Sequence, residues 1–405
     1  MGMFEKVTQV GLDVHRKFSM ASLRDASGNV VARQKLEHDD LSKLDQRVAC
    51  WPAGTPVILE ATFGWGWMSD RLLANKMAPH LAASRKTAAW REGRGLAKSN
   101  KIDADLLAQL WDEKRIIKYG VAKHWWEVWL APQQVRDQRE LLRHRMALVR
   151  MQTALKNRIH ATLHRHGVLC QESDLFGVEG RRFLSLLLSD EQALRETTKL
   201  TLKEDLILLD QLRRLIARAT RQFRSQLRRS ADGQRLMTLP GVSTVLAYTI
   251  LAEIGRIERF PKAGCLARYS LLAPRADDSG EPRPGKPIGR HLGHDGRTTL
   301  QWAWIEAAHG AVRKSTRLRC IFNRCTNNGK ENRNRGYIRV ANQMCSIGYA
   351  MWKKQTDYQE VLPSRPGSKQ KVSRQKMSLS RPGTGQPFHP MATGPRQAVP
   401  ERPLL

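Results

Sequence analysis

The sequence predicts a mixed α/β region at the N-terminus and all-α regions after it. Two observations support this division. Short apolar runs separated by turn residues occupy residues 6–90, a pattern typical of strands in a small sheet. From about residue 131 onward, leucines recur instead at helical spacing over long stretches. The chain has 405 residues, enough for two or three domains of ordinary size.

The N-terminal elements are expected in the order βββαβαβα. In chain order they are strands at 7–14, at 18–23 and from 30, a helix at 36–50, a strand at 56–60, a helix at 65–76, a strand at 80–84 and a helix from 100. The first three strands form a meander, in which antiparallel neighbours pair locally. This is the order of the ribonuclease-H-like fold, so we assign residues 1–120 to such a domain.

Two long amphipathic helices are expected within residues 121–230. Leu141, Leu148 and Leu155 recur every seven residues, and a second apolar stripe runs over 202–227. Stripes of this kind pack as an antiparallel pair or a coiled coil. Basic residues crowd the remaining faces, and those expected to contact nucleic acid are Arg143, Arg150, Lys156 and Arg158.

Residues 231–354 are expected to form a mainly helical C-terminal domain. Its segment Leu239-Pro240-Gly241-Val242 resembles the turn of a helix-hairpin-helix, which presents backbone N–H groups to a phosphate oxygen. Gly241 is therefore a candidate nucleic-acid contact. Residues 355–405 are rich in proline, serine and basic residues, which is typical of a disordered tail.

The charge of the chain indicates its partner. Lys and Arg number 69 against 38 Asp and Glu, which leaves a net charge of +31. Such an excess destabilises the compact state unless a polyanion screens it, so nucleic acid is expected and small acidic metabolites are poor candidates. The sequence has no apolar run long enough to span a bilayer, no secretory signal and no CxxC pair. We expect a cytoplasmic, nucleoid-associated protein without a membrane partner.

Three carboxylates occupy equivalent places in the predicted sheet. Asp13 ends the first apolar run, Glu60 ends the fourth, and Asp103 lies in the first turn of the helix after the fifth. Each alone is commonly a turn or capping residue, but in a ribonuclease-H-like sheet all three converge at one edge. Clustered carboxylates repel each other unless a cation lies between them, and oxygen ligands suit Mg²⁺ or Mn²⁺. The trio predicts a metal site for phosphoryl transfer.

The segments around these carboxylates resemble the Asp, Glu, Asp, Asp motifs of insertion-sequence transposases. These transposases have a RuvC-like N-terminal domain and are related to the pilin-gene invertases. The matching segments are 11–15, 57–62 and 98–104. Asn100 stands where the family has its third acidic residue, so it can offer a metal an oxygen but no charge. Lys98 and Lys101 flank this motif and are expected to contact the DNA backbone at the scissile phosphodiester. Asp105 is expected only as a reserve metal ligand, because it lies on a different face of the helix from Asp103.

A second resemblance lies in the C-terminal domain. The run from Pro274 to Gly280 is similar to the family's segment that supplies a serine nucleophile, and Ser279 matches that serine, with Asp278 in place of another serine. Basic residues nearby in the sequence are expected to hold the attacked phosphate, namely Arg275, Lys286, Arg290 and Arg297.

The resemblance implies a DNA recombinase that cuts and rejoins phosphodiesters through a composite site. It further implies a covalent phosphoserine intermediate, a structured guide RNA that pairs with donor and target DNA, and a homodimer or homotetramer. Two alternatives remain open. One is a metal-only nuclease acting on DNA junctions, with Ser279 an ordinary turn residue. The other is a nucleic-acid-binding protein that no longer cuts, which Asn100 and Asp278 favour.

Overall fold

The computed structural model of the protein describes residues 4–113, 126–273 and 296–360. The first of these ranges alternates strands and helices, as the apolar runs predict. Its elements are β1 (Gln9–Val14), β2 (Phe18–Arg24), β3 (Val30–Glu37), α1 (Leu41–Ala49), β4 (Pro56–Glu60), α2 (Trp65–Ala74), β5 (Ala78–Ala82), α3 (Ser84–Gly93) and α4 (Asn100–Asp112), and the second range opens with β6 (Glu127–Val128).

The strands form a mixed sheet in the order β3-β2-β1-β4-β5-β6. The first three strands are antiparallel neighbours, β4 and β5 run parallel to β1, and β6 closes the edge in the antiparallel sense. The order of the first five strands is the one expected for a ribonuclease-H-like sheet. The sequence did not predict α3 or the short strand β6.

The boundary between β3 and α1 differs from the expected one. A helix over 36–50 was expected, but Leu36 and Glu37 complete β3, and α1 begins only at Leu41. The side chain of Asp40 accepts hydrogen bonds from two backbone N–H groups of the first turn, which fixes the start of the helix there.

The two faces of the sheet bury different side chains. On one face Leu12, Leu59 and Leu81 pack with buried residues of α1 and α2. On the other face Ile58 and Ala82 pack with Leu107 and Leu110 of α4. Because successive side chains of a strand point to opposite faces, α4 covers the face that carries Gly11, Ile58 and the residues two positions away from each of them.

The middle of the chain contains two long antiparallel helices, α5 (Gln133–Arg165) and α7 (Glu196–Arg228), with α6 (Val178–Ser189) between them in sequence. Their cross-contacts run in opposite directions along the two helices. Arg145 donates to Thr220, and Arg158 pairs with Asp205 nearer the end of α5. Leu148 and Leu155 of the first stripe are buried in one cluster with Leu202, Leu206, Leu209 and Leu212 of the second, so the expected pair is present. Leu141 is half-buried against the C-terminal core.

The C-terminal part of the described chain is helical. It contains α8 (Ala231–Met237), α9 (Thr244–Ile254), a 3-10 turn (Ile257–Arg259), α10 (Ala263–Tyr269), α11 (Thr298–Lys314), α12 (Thr316–Cys325) and α13 (Arg333–Lys354). Phe223 of α7 stacks on Tyr248 of α9 with ring centroids 3.8 Å apart, so the long helices share a core with this part. In the described ranges, no helix has the length and apolar character needed to cross a bilayer.

Candidate metal and nuclease site

Asp13 and Glu60 lie side by side at the end of two neighbouring strands. Strands β1 and β4 are parallel, with Leu12 paired to Leu59. Asp13 and Glu60 are the next residues on each strand. Adjacent strands lie about 4.8 Å apart and residues in register point to the same face. Both carboxylates therefore extend from the α4 side of the sheet, at the edge formed by the carboxyl ends of the central strands.

Gly11 brings the helix that carries Asp103 against this edge. A Cβ atom at Gly11 would lie 2.0 Å from the carbonyl oxygen of Ala104 and 2.4 Å from the backbone nitrogen of Ala108. Glycine therefore permits a backbone-to-backbone approach of α4 that no larger residue allows. Because Asp103 precedes Ala104, this contact places the first turn of α4 beside the end of β1.

The start of α4 is fixed by its own capping interaction. Ser99 accepts a hydrogen bond from the backbone N–H of Ile102, 3.2 Å away. Asp103 lies in the first turn of the helix, where the helix dipole favours a negative charge. Asn100, three residues earlier, shares that face of the helix and is exposed.

The three carboxylates affect each other electrostatically. Burial raises the pKa of Asp13 above its usual value. The neighbouring His15 opposes this shift, while the charges of Asp103 and Glu60 raise the pKa of Asp13 further. Three acidic groups from distant parts of the chain are therefore close enough to repel one another.

Each carboxylate contacts a different neighbour. Arg91 of α3 donates to Asp103 Oδ1 over 3.0 Å, and Thr87, also on α3, donates to Glu60. His15 Nε2 lies 2.9 Å from Asp13 Oδ2, and neither of these buried atoms has another polar partner among the described residues. Across the described ranges, no three His, Cys, Asp or Glu side chains lie close enough together to hold a metal ion as they stand.

The chemistry of this edge nevertheless fits a divalent cation. Apart from His15 Nε2, the buried Asp13 Oδ2 has no polar partner in the described ranges, and a positive charge between the three carboxylates would relieve their repulsion. Arg91 already supplies one such charge, and its hydrogen bond to Asp103, together with the charges of Asp103, Glu92 and Glu60, raises the pKa of its guanidinium. Carboxylate oxygens are the ligands that hard divalent ions prefer.

Asp105 has a structural role in place of the expected reserve ligation. It accepts from Ser22 Oγ at 2.5 Å and from two nitrogens of Arg33 at 3.1 and 2.8 Å. These partners belong to β2 and β3, so the carboxylate is engaged with the sheet. Lys98 and Lys101 are exposed at the beginning of α4.

The basic residues expected to bind nucleic acid on α5 differ in their surroundings. Arg143 and Arg150 are exposed. Lys156 Nζ lies 4.8 Å from the centre of the Phe176 ring, and Arg158 forms a two-pronged ion pair with Asp205 on α7. Lys156 and Arg158 therefore also stabilise the packing around the long helices.

Gly241 occupies a position that requires glycine for packing. Its φ is +82°, and a Cβ atom there would lie 2.2 Å from the carbonyl oxygen of Ala307 on α11. This contact holds the turn before α9 against α11. A packing requirement therefore explains this glycine without a phosphate.

Arg297 belongs to a cluster at the C-terminal end of α9. Its Nε donates to the Tyr269 hydroxyl over 3.0 Å and lies 3.7 Å from the buried Glu253 carboxylate. Arg139 and Arg259 donate to the last carbonyl oxygens of α9, which lack partners within the helix. Four of the expected residues lie outside the described ranges, namely Ser279, Arg275, Lys286 and Arg290.

Sequence reasoning did not find Thr87 and Arg91. Both lie on α3, whose only buried residue is Thr87, so the helix shows no apolar stripe. Polar residues that face a site without periodic burial leave no pattern in the sequence.

The sheet has a mixed strand order, with acidic residues at the ends of two central strands and in the first turn of the helix that covers them. This arrangement is typical of ribonuclease-H-like nucleases and transposases. Comparison with known families agrees. Residues 10–167 match the DEDD transposase family of IS110 elements, and residues 233–322 match the family described as "Transposase IS116/IS110/IS902 family". The chain belongs to this family of insertion-sequence transposases, as the motifs had indicated.

A curated relative carries the same designation. The chain is 25% identical over 235 residues to the transposase for insertion sequence element IS1111A from Coxiella burnetii (strain RSA 493 / Nine Mile phase I). The aligned part covers 55% of this chain and 60% of that relative. The first family match includes Asp13, Glu60, Asn100 and Asp103, and a DEDD domain suggests the use of a divalent metal.

Proposed function

We propose that the protein cuts and rejoins DNA phosphodiesters as the transposase of an insertion sequence. The observation that carries this proposal is the convergence of Asp13, Glu60 and Asp103 at one sheet edge, from three separate segments. Nothing in the packing of the sheet requires three mutually repelling carboxylates there. Their placement is explained by a divalent cation and a phosphate.

The residues of the site have separate tasks in this proposal. Asp13, Glu60 and Asp103 hold Mg²⁺ or Mn²⁺, with the Asn100 amide oxygen as a weaker fourth ligand. An ion held there would supply Lewis-acid polarisation of a phosphoryl oxygen. Lys98 and Lys101, exposed beside the start of α4, bind the phosphates on either side of the scissile bond. Arg91 pairs with Asp103 and therefore competes with the ion for that carboxylate.

Ser279 is the proposed nucleophile. Its Oγ attacks the phosphorus and loses its proton to a neighbouring base, while the P–O bond to one sugar breaks and that oxygen leaves with a proton. The resulting phosphoserine ester is resolved when a sugar hydroxyl of the second DNA attacks the same phosphorus and restores the serine. The match of residues 233–322 to the transposase family supports this assignment.

Donor DNA, target DNA and a structured guide RNA are the proposed partners, bound by a homodimer or homotetramer. The net charge of +31 supports partners that are polyanions. If base pairing by RNA selects the sites, the protein needs mainly phosphate contacts, which lysine and arginine provide.

A cleavage assay followed by denaturing electrophoresis tests the proposal. Wild-type protein with DNA, guide RNA and Mg²⁺ should yield a protein–DNA adduct, which Ser279→Ala abolishes. Asp13→Asn should abolish both cleavage and adduct, whereas Glu92→Gln, an exposed carboxylate on α3, should change neither. Wild-type cleavage without an adduct would replace the serine route with a metal-only nuclease.

A second candidate is a nucleic-acid-binding protein of the element that does not cut. Asn100 favours it, because the site has three carboxylates near one arginine where the family motif has four acidic residues. Tight nucleic-acid binding without cleavage by the wild type, together with cleavage by Asn100→Asp, would establish this second function.

A further inference from the structure

An open groove lies on the helical part of the molecule, apart from the acidic site. Its walls come from three elements that are distant in sequence: α5, the start of α9 and the start of α11. The volume is about 680 Å³, within the range of small-ligand sites. Apolar side chains of α5 and α9 line it, including Val149 and Leu246.

The polar groups of the groove favour an anion. Arg145 and Arg150 of α5 line it, while Glu306 is the acidic side chain among its lining residues. Arg150 is exposed and has no ion-pair partner in the described part of the chain. Arg145 donates through Nε to the neutral Thr220 hydroxyl at 2.9 Å, so its charge is not neutralised by that bond.

The beginning of α11 adds a set of backbone donors. Thr298 and Thr299, the first two residues of this 17-residue helix, line the groove. The residue before them, Arg297, makes no side-chain capping hydrogen bond to the first turn. The first N–H groups of a helix lack partners within it and carry the positive end of its dipole, so a phosphate oxygen is a suitable ligand.

Trp302 provides an aromatic surface in the same groove. It lies one turn beyond Thr298 on α11 and is 40% exposed, although most large apolar side chains of this region are buried. An exposed indole beside an apolar wall can stack on an unpaired base, whatever the identity of that base. Aromatic, apolar, cationic and N–H donor groups are therefore combined in one nucleotide-sized space.

We propose that this groove binds an unpaired nucleotide of a DNA or RNA strand. The base stacks on Trp302, and the adjoining phosphate is held by Arg150 and the first turn of α11. The inference deepens the proposed function, since the strand is one of the nucleic acids on which the transposase acts. It does not depend on catalysis, because none of these side chains belongs to the acidic site.

Crosslinking tests the location of the strand. Single-stranded DNA and RNA oligonucleotides that carry 5-iodouracil are irradiated with the full-length Ser279→Ala protein in EDTA, and the crosslinked peptide is identified by mass spectrometry. We expect the crosslink at Trp302. The DNA and RNA arms show which strand is bound, and crosslinks confined to other peptides in both arms would overturn the proposal.

Affinity measurements by fluorescence anisotropy complete the test. Trp302→Leu keeps an apolar side chain but removes the stacking surface, and should weaken binding by about 5- to 100-fold. Trp302→Phe should restore most of the affinity. Arg150→Gln should weaken binding and lower the magnitude of the slope of log affinity against log salt by about 0.7, the value for one phosphate contact on a single strand.

Two matched controls separate the groove from general effects. Trp67→Ala removes a tryptophan that is 38% exposed on α2, and Arg218→Gln removes an exposed arginine of α7. Both should bind as the wild type does, and equal effects of Trp302→Leu and Trp67→Ala would refute the groove. If the wild type cuts DNA and Trp302→Leu binds the strand as tightly as the wild type, the groove is rejected and the transposase activity stands. If Trp302→Leu weakens binding but the wild type never cuts DNA, the transposase activity is rejected and the groove stands.

Discussion

Replacing Gly11 by alanine tests how the acidic site is assembled. The added methyl carbon would lie 2.0 Å from Ala104 O and 2.4 Å from Ala108 N, both backbone atoms of α4. An ordinary carbon contact needs about 3.5 Å or more, so α4 must move by more than about 1 Å. Neither atom belongs to a flexible side chain that could turn aside.

The cost of this change can be placed in a range. Overpacking a core typically costs about 1–3 kcal/mol, and the upper end applies where backbone must shift. Replacing glycine by alanine within a strand stabilises the fold by about 0.5–1 kcal/mol, because alanine loses less conformational entropy on folding. A net loss of about 2 kcal/mol follows, which lowers the melting temperature of a domain of about 120 residues by roughly 6–12 °C.

The same displacement should weaken metal binding. Asp103 precedes the displaced Ala104, so its carboxylate moves away from Asp13. Melting followed by circular dichroism and Mn²⁺ titration by calorimetry measure the two effects on one protein. Gly93→Ala is the control, because nothing lies within 4 Å of its added carbon. Wild-type stability and Mn²⁺ affinity in Gly11→Ala would refute this account of the site.

Three further changes give distinct expectations. Arg91→Ala removes the cation that pairs with Asp103. It should raise the Mn²⁺ affinity measured by calorimetry at low salt about tenfold, which corresponds to about 1.4 kcal/mol. Weaker Mn²⁺ binding would show instead that Arg91 supports the ligands. Asn100→Asp adds a carboxylate and should raise both the stoichiometry of bound Mn²⁺ and the rate of cleavage; an unchanged titration would exclude Asn100 from the ligands. Gly241→Ala should lower the melting temperature by at least as much as Gly11→Ala, because φ is +82° and Ala307 O lies 2.2 Å from the added carbon. A melting temperature equal to the wild type's would contradict this packing.

Much of the sheet could be predicted from the sequence because its signals are local. The apolar runs that end at Val14 and Glu60 have the length and turn boundaries of strands, and both are strands in the structure. Their order along the chain is enough to place Asp13 and Glu60 on neighbouring strands. The leucine stripes of the two long helices were equally informative, since burial repeats with the helical period.

Other features could not be predicted because they have no local pattern. Helix α3 buries only Thr87 and therefore has no apolar stripe. The two-residue strand β6 exists because it pairs with Leu81 and Ala82 of β5. Asp105 has the same chemistry as Asp103, and its hydrogen bonds to Ser22 and Arg33 of the sheet are evident only in the tertiary structure.

The amino-acid sequence alone determines the excess of positive charge, most of the succession of strands and helices, and the residue types available for chemistry. These depend on composition and on neighbours within a few positions of the chain. The tertiary structure decides which carboxylate pairs with Arg91, how closely α4 approaches Gly11, and that Arg150, Thr298 and Trp302 line one groove. Those contacts join residues far apart in the chain, and their energies depend on distance in space, which no local pattern of residues encodes.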